Sequence, residues 1–349
     1  MSVSQRVQWI DACKGVGIFL VIIGHTMIDN NLRGQIYAFH MPLFFFISGY
    51  LFSIKKYPRF IELLISKCKS LLVPYISFAI ISLVLLRFFL QEPINIKAFF
   101  DSLMYSRRNN IYFDDPLWFL TSLFTMEVIY FFVTKYVKND YFRLFIVLAT
   151  SFFAISSLDV LAGGNILPWS FDQTLYYILY FGLGQFIKNK EILGTRLRTS
   201  IRLIISSVVY IVLLIYPSIY PNVVEILNGI LNLPSNLTTY IVTVSWAVVA
   251  ILFIIYISQF LSSISLINFL GKNSLILLGL HISFGFNFIN KVVLERLHLK
   301  INNPNLLGLA FTLGSIVLLI PICMFINNYI PFILGKNLAL NNLRGKKDK

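Results

Sequence analysis

Between Ile10 and Ile28 the chain holds an apolar run long enough for one helical membrane crossing, yet the run carries an aspartate, a lysine and a histidine. It reads Ile10-Asp11-Ala12-Cys13-Lys14-Gly15, then Val16 through Ile23, then Gly24-His25. A charged group at the centre of a bilayer helix costs about 2.5–3.5 kcal/mol even on the lenient insertion scale. At roughly 100° per residue, Lys14 and His25 head within about 20° of each other and Asp11 lies about 40° from His25. The first two are then roughly 16 Å apart along the helix axis. All three share one face, and that face must meet protein or water rather than lipid. Ionisable stripes inside a membrane span are functional-site candidates by default.

The rest of the chain supports a membrane setting. Of 349 residues, 57% are hydrophobic and only 13% charged, whereas soluble domains carry about 25% charge. Apolar stretches predict ten helices, near 10–28, 38–53, 71–90, 116–136, 142–158, 173–188, 201–217, 238–257, 273–291 and 305–326. The expected fold class is all-α, a polytopic transmembrane bundle. A net charge of +14 would suggest nucleic acid in a soluble protein, but here it follows the positive-inside rule. Of 29 Lys and Arg residues, eight (Arg33, Arg87, Lys97, Arg107, Arg108, Lys291, Arg296, Lys300) fall in one set of connections, and the other 21 fall opposite. That asymmetry puts both termini in the cytoplasm and excludes a nucleic-acid partner.

Residues 1–335 read as one membrane domain, followed by a basic cytoplasmic tail, 336–349. The outer connection from Gln91 to Asp115 should contain a short interfacial helix over Ile96–Tyr105, because Phe99, Phe100 and Leu103 recur at helical spacing. Three cysteines (Cys13, Cys68, Cys323) lie in or near inner halves of helices and read as packing residues rather than a disulfide framework. Ser48-Gly49 offers a small surface for close approach of another helix.

Other polar residues stand out against this background. His40 opens the second helix, Glu127 lies near the middle of the fourth, and His281 falls within the ninth. Trp118 begins the fourth helix, where an aromatic-belt role competes with stacking on a sugar. Asp114, Asp115, Asp159 and Asp172 read as solvated carboxylates at the outer surface. The chain has no Gly-rich phosphate loop and no His/Cys cluster with metal-ligand spacing, so neither a metal nor a bound cofactor is expected.

Several blocks together resemble a known family. They are Asp11-x-x-Lys14-Gly15, with ten residues between Lys14 and His25; Phe39-His40-Met41-Pro42-Leu43-Phe44-Phe45-Phe46-Ile47-Ser48-Gly49; Leu72-Val73-Pro74-Tyr75; Leu117-Trp118-Phe119-Leu120; and Leu270-Gly271-Lys272-Asn273-Ser274 leading to His281. The chain resembles integral-membrane acyltransferase family three, particularly its fucose 4-O-acetylase-like and surface-polysaccharide O-acetyltransferase members. The resemblance implies a catalytic pair, His25 and Lys14, and an acetyl-CoA donor whose phosphates would meet Lys67 and Lys69. It also implies an acceptor hydroxyl on a carbohydrate or lipid-linked saccharide, and a bacterial inner membrane.

O-acylation requires a base for the attacking hydroxyl and a positive or amide environment for the developing oxyanion. Histidine suits the first role near neutral pH. On that chemistry His25 takes the acceptor proton or carries the acyl group, Asp11 orients Lys14, and Lys14 serves the donor. His40, Trp118, Glu127 and His281 are the candidates for lining the acceptor site. The alternatives are a transporter or flippase of a lipid-linked sugar, and succinyl rather than acetyl transfer.

Overall fold

The computed structural model describes residues 8–91, 93–161, 166–193, 196–215, 219–294 and 301–336. Among them every regular element is helical. In chain order these are α1 (Gln8–Gly24), α2 (Asn30–Tyr37), α3 (His40–Leu51), α4 (Phe60–Lys67), α5 (Val73–Leu90), α6 (Ile96–Tyr105), α7 (Trp118–Tyr136), α8 (Asp140–Leu161), α9 (Phe171–Asn189), α10 (Arg196–Ile215), α11 (Ile219–Leu231), α12 (Ser235–Leu261), α13 (Ser265–Lys272), α14 (Ser274–Leu280) and α15 (Pro304–Tyr329). Helix occurs in all ten anticipated segments. Six stretches among the described residues are long and apolar enough to cross a membrane: Phe60–Phe88, Asp115–Tyr136, Asp140–Ser157, Ser235–Leu261, Ser274–Val292 and Pro304–Tyr329. The interfacial helix expected over Ile96–Tyr105 is present with those bounds. Residues 337–349 of the expected tail lie outside the described residues.

Three predicted helices differ from expectation for local reasons. The first stops at Gly24 rather than near residue 28. Asp29 starts a new helix there, its carboxylate accepting from the Leu32 amide, and Arg33 donates to the Thr26 and Ile28 carbonyls. The helix expected from residue 71 belongs to a longer rod beginning at Phe60. Pro74 has no amide to offer, and the Val73 amide bonds back to the Cys68 carbonyl, giving a wide turn over Cys68–Leu72. The ninth predicted helix is irregular: within the Ser274–Val292 rod, α14 ends at Leu280 and a second wide turn runs His281–Phe286.

Close crossings set the position of α1. A Cβ at Gly15 would overlap the Ile267 carbonyl oxygen, and one at Gly271 would overlap that of Asp11. The Lys14-Gly15 and Gly271-Lys272 blocks are thus the two sides of one contact between α1 and α13. Gly49 meets the Phe181 carbonyl in the same way, bringing α3 against α9. Phe45 stacks on Tyr177 of α9, and Phe39 and Phe46 are buried in the same core. The three cysteines are free, with Cys13 and Cys323 buried.

Candidate active site

Three of the chain's four histidines meet at one end of the bundle; His298 lies outside the described residues. His25 follows directly on α1, its amide still bonded to the Val21 carbonyl at 3.2 Å. Its ring centroid is 5.3 Å from that of His281 and 6.1 Å from Tyr37. Tyr37 in turn lies 5.0 Å from His40. Gly24 leaves room for the Tyr37 ring, whose hydroxyl donates to the Gly24 carbonyl at 3.1 Å. The sequence singles out the three histidines but not Tyr37.

Hydrogen bonds define the tautomers of two rings. His281 Nδ1 lies 3.0 Å from the Leu277 carbonyl and 2.9 Å from that of Leu278. Both partners are acceptors, so Nδ1 carries the proton and Nε2 keeps its lone pair. His40 Nδ1 likewise faces the Ile36 carbonyl at 2.9 Å. The His281 backbone amide also bonds to the Leu277 carbonyl, so that oxygen accepts from both the amide and the ring. His281 Nε2 is buried and has no protein partner. Among the described residues no group of three or more His, Cys, Asp or Glu has the arrangement of a metal cage.

Lys14 lies towards the other end of α1. It is half-buried and lines a cavity of about 180 Å³ with Ser48, Leu71, Phe119, Leu123 and Ser274 among its neighbours. Asp11, one turn earlier, is buried at 5% exposure. A pocket with one cation, two hydroxyls and otherwise apolar walls admits a chain that is mostly apolar with a few polar groups.

The remaining candidates separate from both clusters. Lys67 Nζ lies 2.6 Å from Glu127 Oε2, so these two form an ion pair between α4 and α7. Lys69 is exposed. Trp118 is buried and stacks on Tyr177, with centroids 6.4 Å apart and planes at 24°; its neighbours Phe119 and Leu120 line the Lys14 cavity. The expectation that Asp114 is solvated is wrong. It is 3% exposed, with the Ser82 hydroxyl at 3.4 Å from its Oδ2, because α5 and the 281–286 turn close over the entry to α7. Asp115 and Asp172 are half-buried; the side chain of Asp159 lies outside the described residues. Asp114 is a second residue, after Tyr37, whose place the sequence did not reveal. Its only signal was its place next to Asp115-Pro116, at a helix entry.

Neither curated proteins nor solved structures provide a match to this chain. A family model does: the acyltransferase domain of acyltransferase family three spans residues 7–327, and the chain belongs to that family.

Proposed function

We propose that this membrane acyltransferase moves an acetyl group from acetyl-CoA to a hydroxyl of a carbohydrate, a unit of capsule, lipopolysaccharide or exopolysaccharide. On this reading the chain crosses a bacterial inner membrane ten times, with both termini in the cytoplasm and the His25 end outermost. The observation that carries it is the pairing on α1: a histidine cluster at one end and a lysine-lined cavity towards the other.

The chemistry follows from the groups available. The donor enters from the Lys14 side, its phosphates near Lys69 and the inner-surface cations, and its flexible arm lies in the cavity. Asp11 orients Lys14. His281, with Nδ1 donating to two carbonyls, keeps Nε2 as an acceptor without a protein partner, and its ring lies beside that of His25. A proton of His25 turned to that lone pair leaves the other His25 nitrogen free to act as base. His25 then takes the acceptor hydroxyl proton, the oxygen forms a bond to the thioester carbon, and the carbon–sulfur bond breaks. The proton passes to the departing thiolate, releasing CoA and the O-acetyl ester. His40, with Nδ1 likewise committed, accepts from a second hydroxyl and so fixes which one reacts.

The test is CoA release by purified protein in vesicles, with labelled acetyl-CoA and a glycan acceptor. His25→Gln should lower the rate by about 10²–10⁴-fold, the usual contribution of a general base, with the melting temperature retained. Full activity in that variant would refute the proposal.

A further inference from the structure

The cavity beside Lys14 extends from one cluster towards the other, and its wall changes character along the way. Three of its lining residues are sequence neighbours of the three histidines. Val21, whose carbonyl accepts from the His25 amide at 3.2 Å, stands one turn before His25. Met41 directly follows His40, and the Leu278 carbonyl accepts from His281 Nδ1 at 2.9 Å. Phe119 joins them from the first turn of α7, and the turn leading into α7 packs against α14. At the opposite end stand Lys14, Ser48 and Ser274.

Packing leaves little slack at the histidine end. A Cβ at Gly17 would lie 3.1 Å from the Phe44 ring, so α3 seats that ring against α1 between the levels of Lys14 and His25. Phe44 meets Phe119 edge to face with centroids 5.9 Å apart, and Phe45 packs on Phe119 at 5.2 Å. Two rings of α3 thus hold Phe119 in place. Val21, Met41, Phe119 and Leu278 are all buried. Among the described residues Lys14 is the one charged side chain on the cavity wall, and it starts about 10 Å along the α1 axis from Val21. At about 180 Å³ the whole cavity is smaller than the roughly 300–1,000 Å³ of sites for drug-sized molecules.

A donor that enters beside Lys14 has to carry its thioester carbon to the hydroxyl that His25 deprotonates, so its acyl chain comes to rest at the apolar end. An ionised carboxylate on that chain would be buried there without a partner, at far greater cost than a methyl group. A longer alkyl chain would need volume that packed side chains already fill. We infer that Val21, Met41, Phe119 and Leu278 form the pocket that selects the acyl group: it takes a short uncharged chain and rejects longer or acidic ones, with Phe119 setting the length limit. This rests on the acetyl-transfer reading above and gives its donor selectivity to named side chains.

The experiment uses full-length protein in phospholipid vesicles with glycan extracted from the organism's own cell envelope. Acceptor-dependent CoA release is measured separately from acetyl-CoA, butyryl-CoA and succinyl-CoA. A methylene that a pocket does not fit is worth about 10–200-fold in kcat/KM, so the parent should favour acetyl over butyryl by about 100-fold or more and leave succinyl at background. Phe119→Ala should bring butyryl to within about tenfold of acetyl and still leave succinyl at background, because the enlarged pocket remains apolar. A parent that uses butyryl or succinyl as well as acetyl, or an unchanged acetyl-to-butyryl ratio in Phe119→Ala, overturns the inference and leaves acetyl transfer standing. Release from succinyl-CoA alone, or from none of the three, removes the acetyl-transfer reading and this inference with it. If Phe119→Ala fails to fold, Met41→Ala opens the same pocket from α3 and provides the same comparison.

Discussion

Lys67 and Glu127 neutralise one another across 2.6 Å, joining the rod that begins at Phe60 to α7 inside the bundle. Their side chains are only 17% and 7% exposed, so solvent screens the pair little. Removing one partner strands the other charge in an apolar setting.

Lys67→Met or Glu127→Gln alone should therefore lower stability by about 3–5 kcal/mol, and Lys67→Met with Glu127→Leu should recover most of it. Denaturant unfolding in detergent micelles measures both effects. The stable double variant also isolates a donor role: if Lys67 contacts CoA phosphates in addition, its KM for acetyl-CoA rises while kcat holds.

Gly271→Ala should cost about 1–3 kcal/mol or prevent folding, since the new methyl overlaps the Asp11 carbonyl and would push α13 off α1. Gly34→Ala is the control. Nothing lies within 4 Å of a Cβ there, and within α2 the change should stabilise by about 0.5–1 kcal/mol. Equal melting temperatures for the two variants would show that the α1–α13 crossing is looser than its geometry indicates.

His281→Asn keeps an amide donor for the Leu277 and Leu278 carbonyls but removes the Nε2 acceptor from the ring beside His25. The fold and the KM for acetyl-CoA should be unchanged, whereas kcat should drop by a sizeable part of the about 10²–10⁴-fold that a general base supplies. The pH profile of kcat should move as well. A purely packing role for His281 would leave that profile where it is.

Burial pushes the Asp114 carboxyl well above the ordinary carboxylate range, and the Ser283 and Ser82 hydroxyls only partly oppose it. The folded protein then holds a proton that the unfolded chain releases near pH 4, roughly its unperturbed value. Stability accordingly declines as pH rises from there towards the folded value. Asp114→Asn removes that loss, so at neutral pH it should melt at or above the parent temperature. The difference should close as pH falls to about 4. Melting curves in detergent across that range decide it; a lower melting point for the variant at pH 7 would mean a charged, paired carboxylate.

Much of this was legible from local pattern. Asp11, Lys14 and His25 declare themselves because an apolar run does not tolerate ionisable groups without a reason. The α6 bounds follow from the spacing of Phe99, Phe100 and Leu103. Other features were not legible. The stop at Gly24 depends on Arg33 and Asp29 taking over carbonyl and amide partners, and the wide turn at His281 comes with ring-to-carbonyl hydrogen bonds that periodicity does not encode.

Hydrophobicity and charge along the chain were enough to commit it to the membrane, to mark its helical segments and to single out histidines and a lysine as chemical groups. Each of those properties is local: a transfer free energy summed over about twenty residues and a helical period. Which polar groups meet was decided only by folding. Glycine contacts bring α1 against α13, and the chain just beyond α13 carries His281 to His25; Lys67 takes up the Glu127 carboxylate; and the entry to α7 buries Asp114. Contacts between distant segments depend on shape complementarity across helices, and no single segment contains that information.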